Sequence, residues 1–147
     1  MTDDNYMKIV LEQAQIAAQN NEVPIGAVLV NESGSIISKT HNLVNTLNDP
    51  TAHAEILAIQ EASKIYGLRL TGFSLYVNME PCPMCAGALV LARIKRLIYA
   101  VPSPYGAAES LFNVTDNPNL NHQIDVTAGC LEDKARFLLK SFFQSKR

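Results

Sequence analysis

A chain of 147 residues with 48% apolar content is long enough to bury about two thirds of its unfolded surface in one core. No apolar run approaches the ~20 residues that span a bilayer, and a net charge of −2 argues against a general nucleic-acid-binding surface. Three cysteines, two of them in one Cys-x-x-Cys pair, speak against a disulfide framework. The opening Met1-Thr2-Asp3-Asp4-Asn5 is acidic and polar, unlike a signal peptide, so a cytoplasmic location with no membrane contact is expected.

No repeat, low-complexity stretch or linker interrupts the chain, and residues 1–147 read as one domain. Met7, Val10, Leu11, Ala14 and Ala17 recur at helical spacing behind Asp3 and Asp4, which suit a first helical turn. Pro24 to Val30 is nearly continuous in apolar residues and reads as a strand buried on both faces. Asn31 to Ser35 is a turn, and Ile36 to Thr40 returns as the second strand of a hairpin. Asp49-Pro50 opens a helix, with Asp49 as its cap, that runs through His53-Ala54-Glu55 to about Tyr66 and stops at Gly67. Ser74 to Met79 is a strand. Pro81 to Ala92 is a helix with Gly87 at a close contact, and Arg96 to Val101 is a strand, which makes a parallel crossover. Ile124 to Thr127 is a short strand, and Leu131 to Phe143 is a last amphipathic helix. The expected fold is α/β: a three-layer α/β/α sandwich around a mixed sheet of about five strands.

Two short segments carry the chemistry. His53 and Glu55 stand two apart, and Pro81-Cys82-Pro83-Met84-Cys85 follows later in the chain. His53, Cys82 and Cys85 make three ligands for a borderline-soft cation, and three protein ligands with one open position describe a catalytic zinc site. Both segments fall at expected helix N-termini, where the dipole favours thiolates. Zinc lowers the pKa of a bound water to about 7. Glu55, within a turn of His53, can reach that water without binding the metal and can move its proton. A structural zinc half-site would need a fourth ligand. Cys130 is remote and reads as a small buried hydrophobe, while His41 and His122 show no paired spacing. A redox pair would not explain His53 or Glu55.

Asn42, at the end of the second strand, offers an amide to a sugar or base, although a turn asparagine is the simpler account. Leu131 to Arg147 holds five basic residues against two acidic ones, a solvated helix face or a local phosphate-binding patch.

The order His-x-Glu, then Pro-Cys-x-x-Cys, is the signature of zinc-dependent nucleobase deaminases. The blocks Glu22 to Val30, Asn48 to Glu55, Leu75 to Ala88 and Gly106 to Ser110, with Asn121-His122 and the Phe142-Phe143 helix end, resemble the bacterial tRNA adenosine deaminase family over nearly the whole chain. That resemblance implies a cytidine-deaminase-like fold and conversion of adenosine to inosine at the wobble position of a tRNA anticodon, in a homodimer. It implies one Zn2+ per subunit on His53, Cys82 and Cys85, with Glu55 as the proton shuttle. It also implies target contacts from Asn42 and the backbone of Ala54, and contacts to the anticodon loop from Lys140, Phe142, Phe143, Lys146 and Arg147. The family's acidic residue and lysine before Gly-Ala are missing here, where Val101-Pro-Ser-Pro-Tyr105 stands instead. Two other readings stay open at this point: a deaminase of a free base or nucleoside such as guanine, cytosine or cytidine, and a non-catalytic zinc-stabilised binding module.

Overall fold

The structure is a computed structural model that describes residues 1–146. Strands β1 (Gly26–Val30), β2 (Ile36–His41), β3 (Ser74–Met79), β4 (Arg96–Val101) and β5 (Asp125–Ala128) form one sheet in the order β2-β1-β3-β4-β5. β1 runs antiparallel to both β2 and β3, whereas β3, β4 and β5 are parallel. Alternate residues of each central strand feed opposite cores. Ala27, Leu29, Leu75, Val77 and Leu97 pack on one side, and Val28, Val30, Tyr76, Ile98 and Ala100 on the other. Side chains alternate across a strand, so a run that is apolar at every position marks a sheet covered on both faces. The expected three-layer sandwich is the one observed.

Helix α1 (Asp3–Gln19) and the last helix α5 (Glu132–Ser145) cover one face, joined by Met7, Val10, Ala135 and Leu139. Thr2 caps α1 in a reciprocal box with Asn5. The other face is covered by α3 (Ala54–Tyr66) and α4 (Pro83–Leu91). Ala54, Ala58 and Ala62 lie one turn apart and fully buried, so α3 rests closely on the sheet. Two hydroxyls of β2 fix it there. Thr40 donates to the Ala54 carbonyl at 2.7 Å and Ser38 to that of Ala58 at 3.2 Å.

The helix of the zinc motif begins later than its sequence suggests. Asp49 does not cap it. The Asp49 carboxylate accepts from the Thr51 amide at 2.8 Å and the Thr51 hydroxyl at 2.7 Å, closing a local turn, and His53 is the cap residue. A short helix α2 (Val44–Leu47) precedes that turn. Gly87 meets no atom within 4 Å of a hypothetical Cβ, so it is not at a close contact. Gly26 is: a Cβ there would lie 2.4 Å from the Val10 carbonyl oxygen, which sets how near α1 approaches β1.

Candidate active site

The carboxyl ends of the parallel strands β3 and β4 lie beside the start of β1 and the end of β2, because β1 is antiparallel to both neighbours. Everything that follows or precedes those strand ends meets there: residues 22–25, Asn42, the His53 cap of α3, the Cys82 cap of α4, and the segment after β4. They enclose a pocket of about 390 Å³ whose wall includes Asn42, His53, Ala54, Glu55 and Cys82. Cys85 sits one helical turn deeper and is fully buried. Pro83 occupies the first turn of α4, where its missing N–H costs nothing.

His53 Nδ1 lies 3.6 Å from Cys82 Sγ and 3.4 Å from Cys85 Sγ. A tetrahedral zinc bonded to N at about 2.0 Å and to S at about 2.3 Å separates such atoms by roughly 3.5 Å. The residues present therefore fit the metal in donor chemistry and in spacing, and His53, Cys82 and Cys85 are positioned to bind it. A hydrogen bond from Cys85 holds the Cys82 thiol down to about 4, with burial opposing it and His53 assisting. The same bond, together with burial, pushes the Cys85 thiol up. The His53 imidazole is raised by its bond to Cys82, against the effect of burial.

Glu55 is 4% exposed, and burial pushes its carboxyl above the ordinary range. It lines the pocket beside His53 but is not among the three residues with converging ligand atoms. A buried carboxyl with a raised pKa, next to a metal site and open to a cavity, is suited to taking and returning a proton near neutral pH.

Three buried polar residues that sequence reasoning did not single out hold the walls. Asn78 accepts from the Gly26 amide at 2.9 Å and donates to the Pro24 carbonyl at 2.8 Å, so it clamps the segment entering β1. Glu22 accepts from the Asn45 amide at 3.0 Å, the Thr46 amide at 2.6 Å and the Thr46 hydroxyl at 2.7 Å, which ties α2 to the pocket. Glu80, directly before Pro81-Cys82, accepts from the amides of Ser103, Glu109 and Ser110 and from the Ser110 hydroxyl. The only sequence signal for these groups is a polar residue set within or beside an apolar strand. Asn42 is 7% exposed, and its Oδ1 accepts from the Val44 amide at 3.2 Å, a turn contact, while its side chain also lines the pocket.

The C-terminal residues lie apart from this cavity. Lys140 and Phe143 border a groove of about 460 Å³ shared with Pro102, Pro104 and Met79. Phe142 packs edge-on to Phe143 at 5.4 Å between ring centres, Lys146 Nζ stands 5.4 Å from the Phe142 ring centre, and Lys146 also donates to the Asn21 side chain. Arg147 lies outside the described residues. Cys130 is partly exposed rather than buried and donates to Asp4 at 3.3 Å, far from any ligand role.

Residues 1–101 match the cytidine and deoxycytidylate deaminase zinc-binding region. The chain is 44% identical over 147 residues to the tRNA-specific adenosine deaminase of Bacillus subtilis (strain 168), covering 99% of this chain and 91% of that one. It is 45% identical over 149 residues to the enzyme of the same description from Aquifex aeolicus (strain VF5), covering 100% and 97%. A solved structure from work on A-to-I editing by tRNA:A34 deaminases at the wobble position superposes with a TM-score of 0.87 at 43% identity, over 92% of this chain and 99% of that one. Guanine deaminase from Nitrosomonas europaea superposes with a TM-score of 0.82 at 27% identity, over 95% and 83%. Full-length similarity at this level, on top of the shared zinc-binding segment, settles the grouping: the chain belongs to the zinc-dependent cytidine and deoxycytidylate deaminase family and, within it, to the tRNA-specific adenosine deaminases.

Proposed function

We propose that this protein deaminates adenosine to inosine at the wobble position of a tRNA anticodon, as a homodimeric cytoplasmic enzyme whose whole chain acts as one catalytic domain. The observation that carries the reading is the meeting, at one pocket, of three converging metal ligands, two in its wall and Cys85 just beneath, with a buried carboxyl that is not one of them. Zinc, when bound, supplies a Lewis acid that makes a hydroxide nucleophile available at neutral pH. His53, Cys82 and Cys85 hold it. The Glu55 carboxylate takes the proton of the attacking water and passes it to a purine ring nitrogen; it then takes the second proton from the hydroxyl newly bonded to the ring carbon and gives it to the amino group as ammonia leaves. Water supplies the oxygen of inosine, so no further co-reactant is needed. Asn42 and the backbone at Ala54, both in the pocket wall, orient the nucleoside. Lys140, Phe142, Phe143, Lys146 and Arg147 hold the loop by phosphate contacts and stacking. For the dimer, support comes from the adjoining ends of α3 and α4, where Ile65, Leu68 and Leu91 are 71%, 87% and 77% exposed.

The test is to incubate the zinc-loaded protein with an anticodon stem-loop bearing adenosine at the wobble position and, separately, with free adenosine, cytidine and guanine, scoring ammonia and product. Inosine from the stem-loop alone is expected. Turnover of guanine or cytidine instead would overturn the RNA reading in favour of a free-base or nucleoside deaminase, and no turnover of any would favour a binding module. Light scattering should give twice the 16.1 kDa chain mass.

A further inference from the structure

The segment 102–105 separates two depressions. On one side is the pocket of His53 and Glu55, with Ser103 and Tyr105 in its wall. On the other is the groove of Pro102, Pro104, Lys140 and Phe143. Tyr105 stands at the rim with 76% of its surface exposed.

A single exposed aromatic is ordinary in itself. What sets this one apart is how firmly its backbone is held. The Tyr105 amide donates to Ser103 Oγ at 3.2 Å, and the Gly106 amide to the Ser103 carbonyl at 2.9 Å. The Ser103 amide in turn donates to Glu80 at 3.1 Å, and those of Glu109 and Ser110 to the same carboxylate at 2.8 Å each. Gly106 lets the segment close onto that carboxylate, since a Cβ there would stand 2.2 Å from it. Pro102 and Pro104 stiffen the run further. Glu80 directly precedes Pro81-Cys82, so the loop is registered to the helix that bears two of the metal ligands. An exposed ring on a firmly held backbone at the mouth of a cavity leaves only side-chain freedom to be lost when a partner settles on it.

The cavity, at about 390 Å³, suits one nucleoside, so the neighbours of a target within a strand must stay at the rim. Unstacked bases of RNA loops are held by stacking on aromatic side chains. We propose that Tyr105 is a positioning residue, a stacking platform for one of the two nucleotides flanking the target adenosine, where the strand leaves the pocket and turns into the Lys140–Phe143 groove. The inference rests on the RNA reading of the function.

The experiment compares wild type, Tyr105→Ala and Tyr105→Phe on the wobble-adenosine stem-loop and on two versions of it, each abasic at one flanking position. Tyr105→Ala should raise KM roughly 5- to 150-fold, the range of one lost base–aromatic stack. Tyr105→Phe should stay within about twofold of wild type, because the ring face and not the hydroxyl is used. On one of the two abasic substrates the wild type should lose the same factor, and Tyr105→Ala should then cost nothing more. Zinc content and melting temperature should not change. An unaltered KM for Tyr105→Ala, a loss that persists in full on both abasic substrates, or a drop in zinc or melting temperature would overturn the platform while leaving the function standing. A wild type that is inert on the intact stem-loop would overturn the function and the platform together.

Discussion

Glu55 gains its chemistry from its position in α3. It follows the His53 cap by two residues, so a helix that pins one metal ligand also fixes the carboxyl beside it. Burial raises that carboxyl, which places its proton exchange nearer to neutral pH than for a solvated glutamate. Glu55→Gln keeps the volume and removes the proposed proton carrier. Turnover should fall at least about 100-fold with zinc content unchanged, and a variant holding more than a tenth of the wild-type rate would remove Glu55 from the role of shuttle. Cys85→Ala acts on the other half of the site. Two ligands hold zinc poorly, so metal analysis should find the ion lost along with activity. Full occupancy in Cys85→Ala would contradict the ligand set. The converging triad could be read from the sequence because its chemistry resides in residue identity and short spacing. The roles of Glu22, Asn78 and Glu80 depend on partners such as Thr46, Gly26 and Ser110, more than 20 positions away, and no local pattern reports those pairings.

Among the elements, those built on an apolar run were legible: β3 and β4 span 74–79 and 96–101, the bounds expected from the sequence. The start of α3 was not, because Asp49 has two possible uses. Aspartate caps helices and closes turns equally well, and here the Thr51 hydroxyl and amide draw it into the turn. The seam between α1 and β1 offers a direct test of packing. Gly26→Ala drives a methyl into the Val10 carbonyl and the Ala14 amide, both backbone and unable to rotate away. A loss of about 1–3 kcal/mol in chemical denaturation is expected, as for overpacked cores. A variant as stable as wild type would mean that α1 is free to shift. The tie between α2 and the pocket answers to acid instead. Burial pushes the Glu22 carboxyl up, but the Thr46 hydroxyl and the amides of Asn45 and Thr46 outweigh it and hold it below 4.5. A carboxyl depressed in the folded state adds stability above its unfolded value, and that stability is lost as pH falls through the folded value. The melting temperature should therefore drop below about pH 4.5, and Glu22→Gln, less stable at pH 7, should show a shallower drop. An identical acid profile in the two proteins would deny Glu22 that part.

At the scale of the whole molecule the charge is divided. The net charge is −2, yet the last helix and its end are basic, and the local field outweighs the total for a ligand as charged as RNA. The structure also sorts the cations that the sequence presents alike. Among the described residues, salt bridges join Arg96 to Asp3 and Arg136 to Glu132, so Arg136 already has a carboxylate. Lys140 has none among them, and Lys146 is held by the neutral Asn21 side chain and the Phe142 ring. Lys140 and Lys146 are therefore better placed than Arg136 to meet phosphates released from their counterions. Each phosphate contact on a single-stranded loop adds about 0.7 to the slope of log affinity against log salt. Lys140→Ala and Lys146→Ala should each lower the slope for an anticodon stem-loop by about that amount, with binding weakened most at low salt. Arg136→Ala should change it less, because Arg136 is already paired with Glu132 and has less charge to offer a phosphate. Zinc content should be untouched in all three, since none of these residues lines the metal pocket. Fluorescence titrations from low to moderate salt would decide it. Equal slopes for wild type and the two lysine variants would remove the C-terminal helix from the RNA interface, whereas a larger change from Arg136→Ala would mean that the Glu132 pair opens when RNA binds.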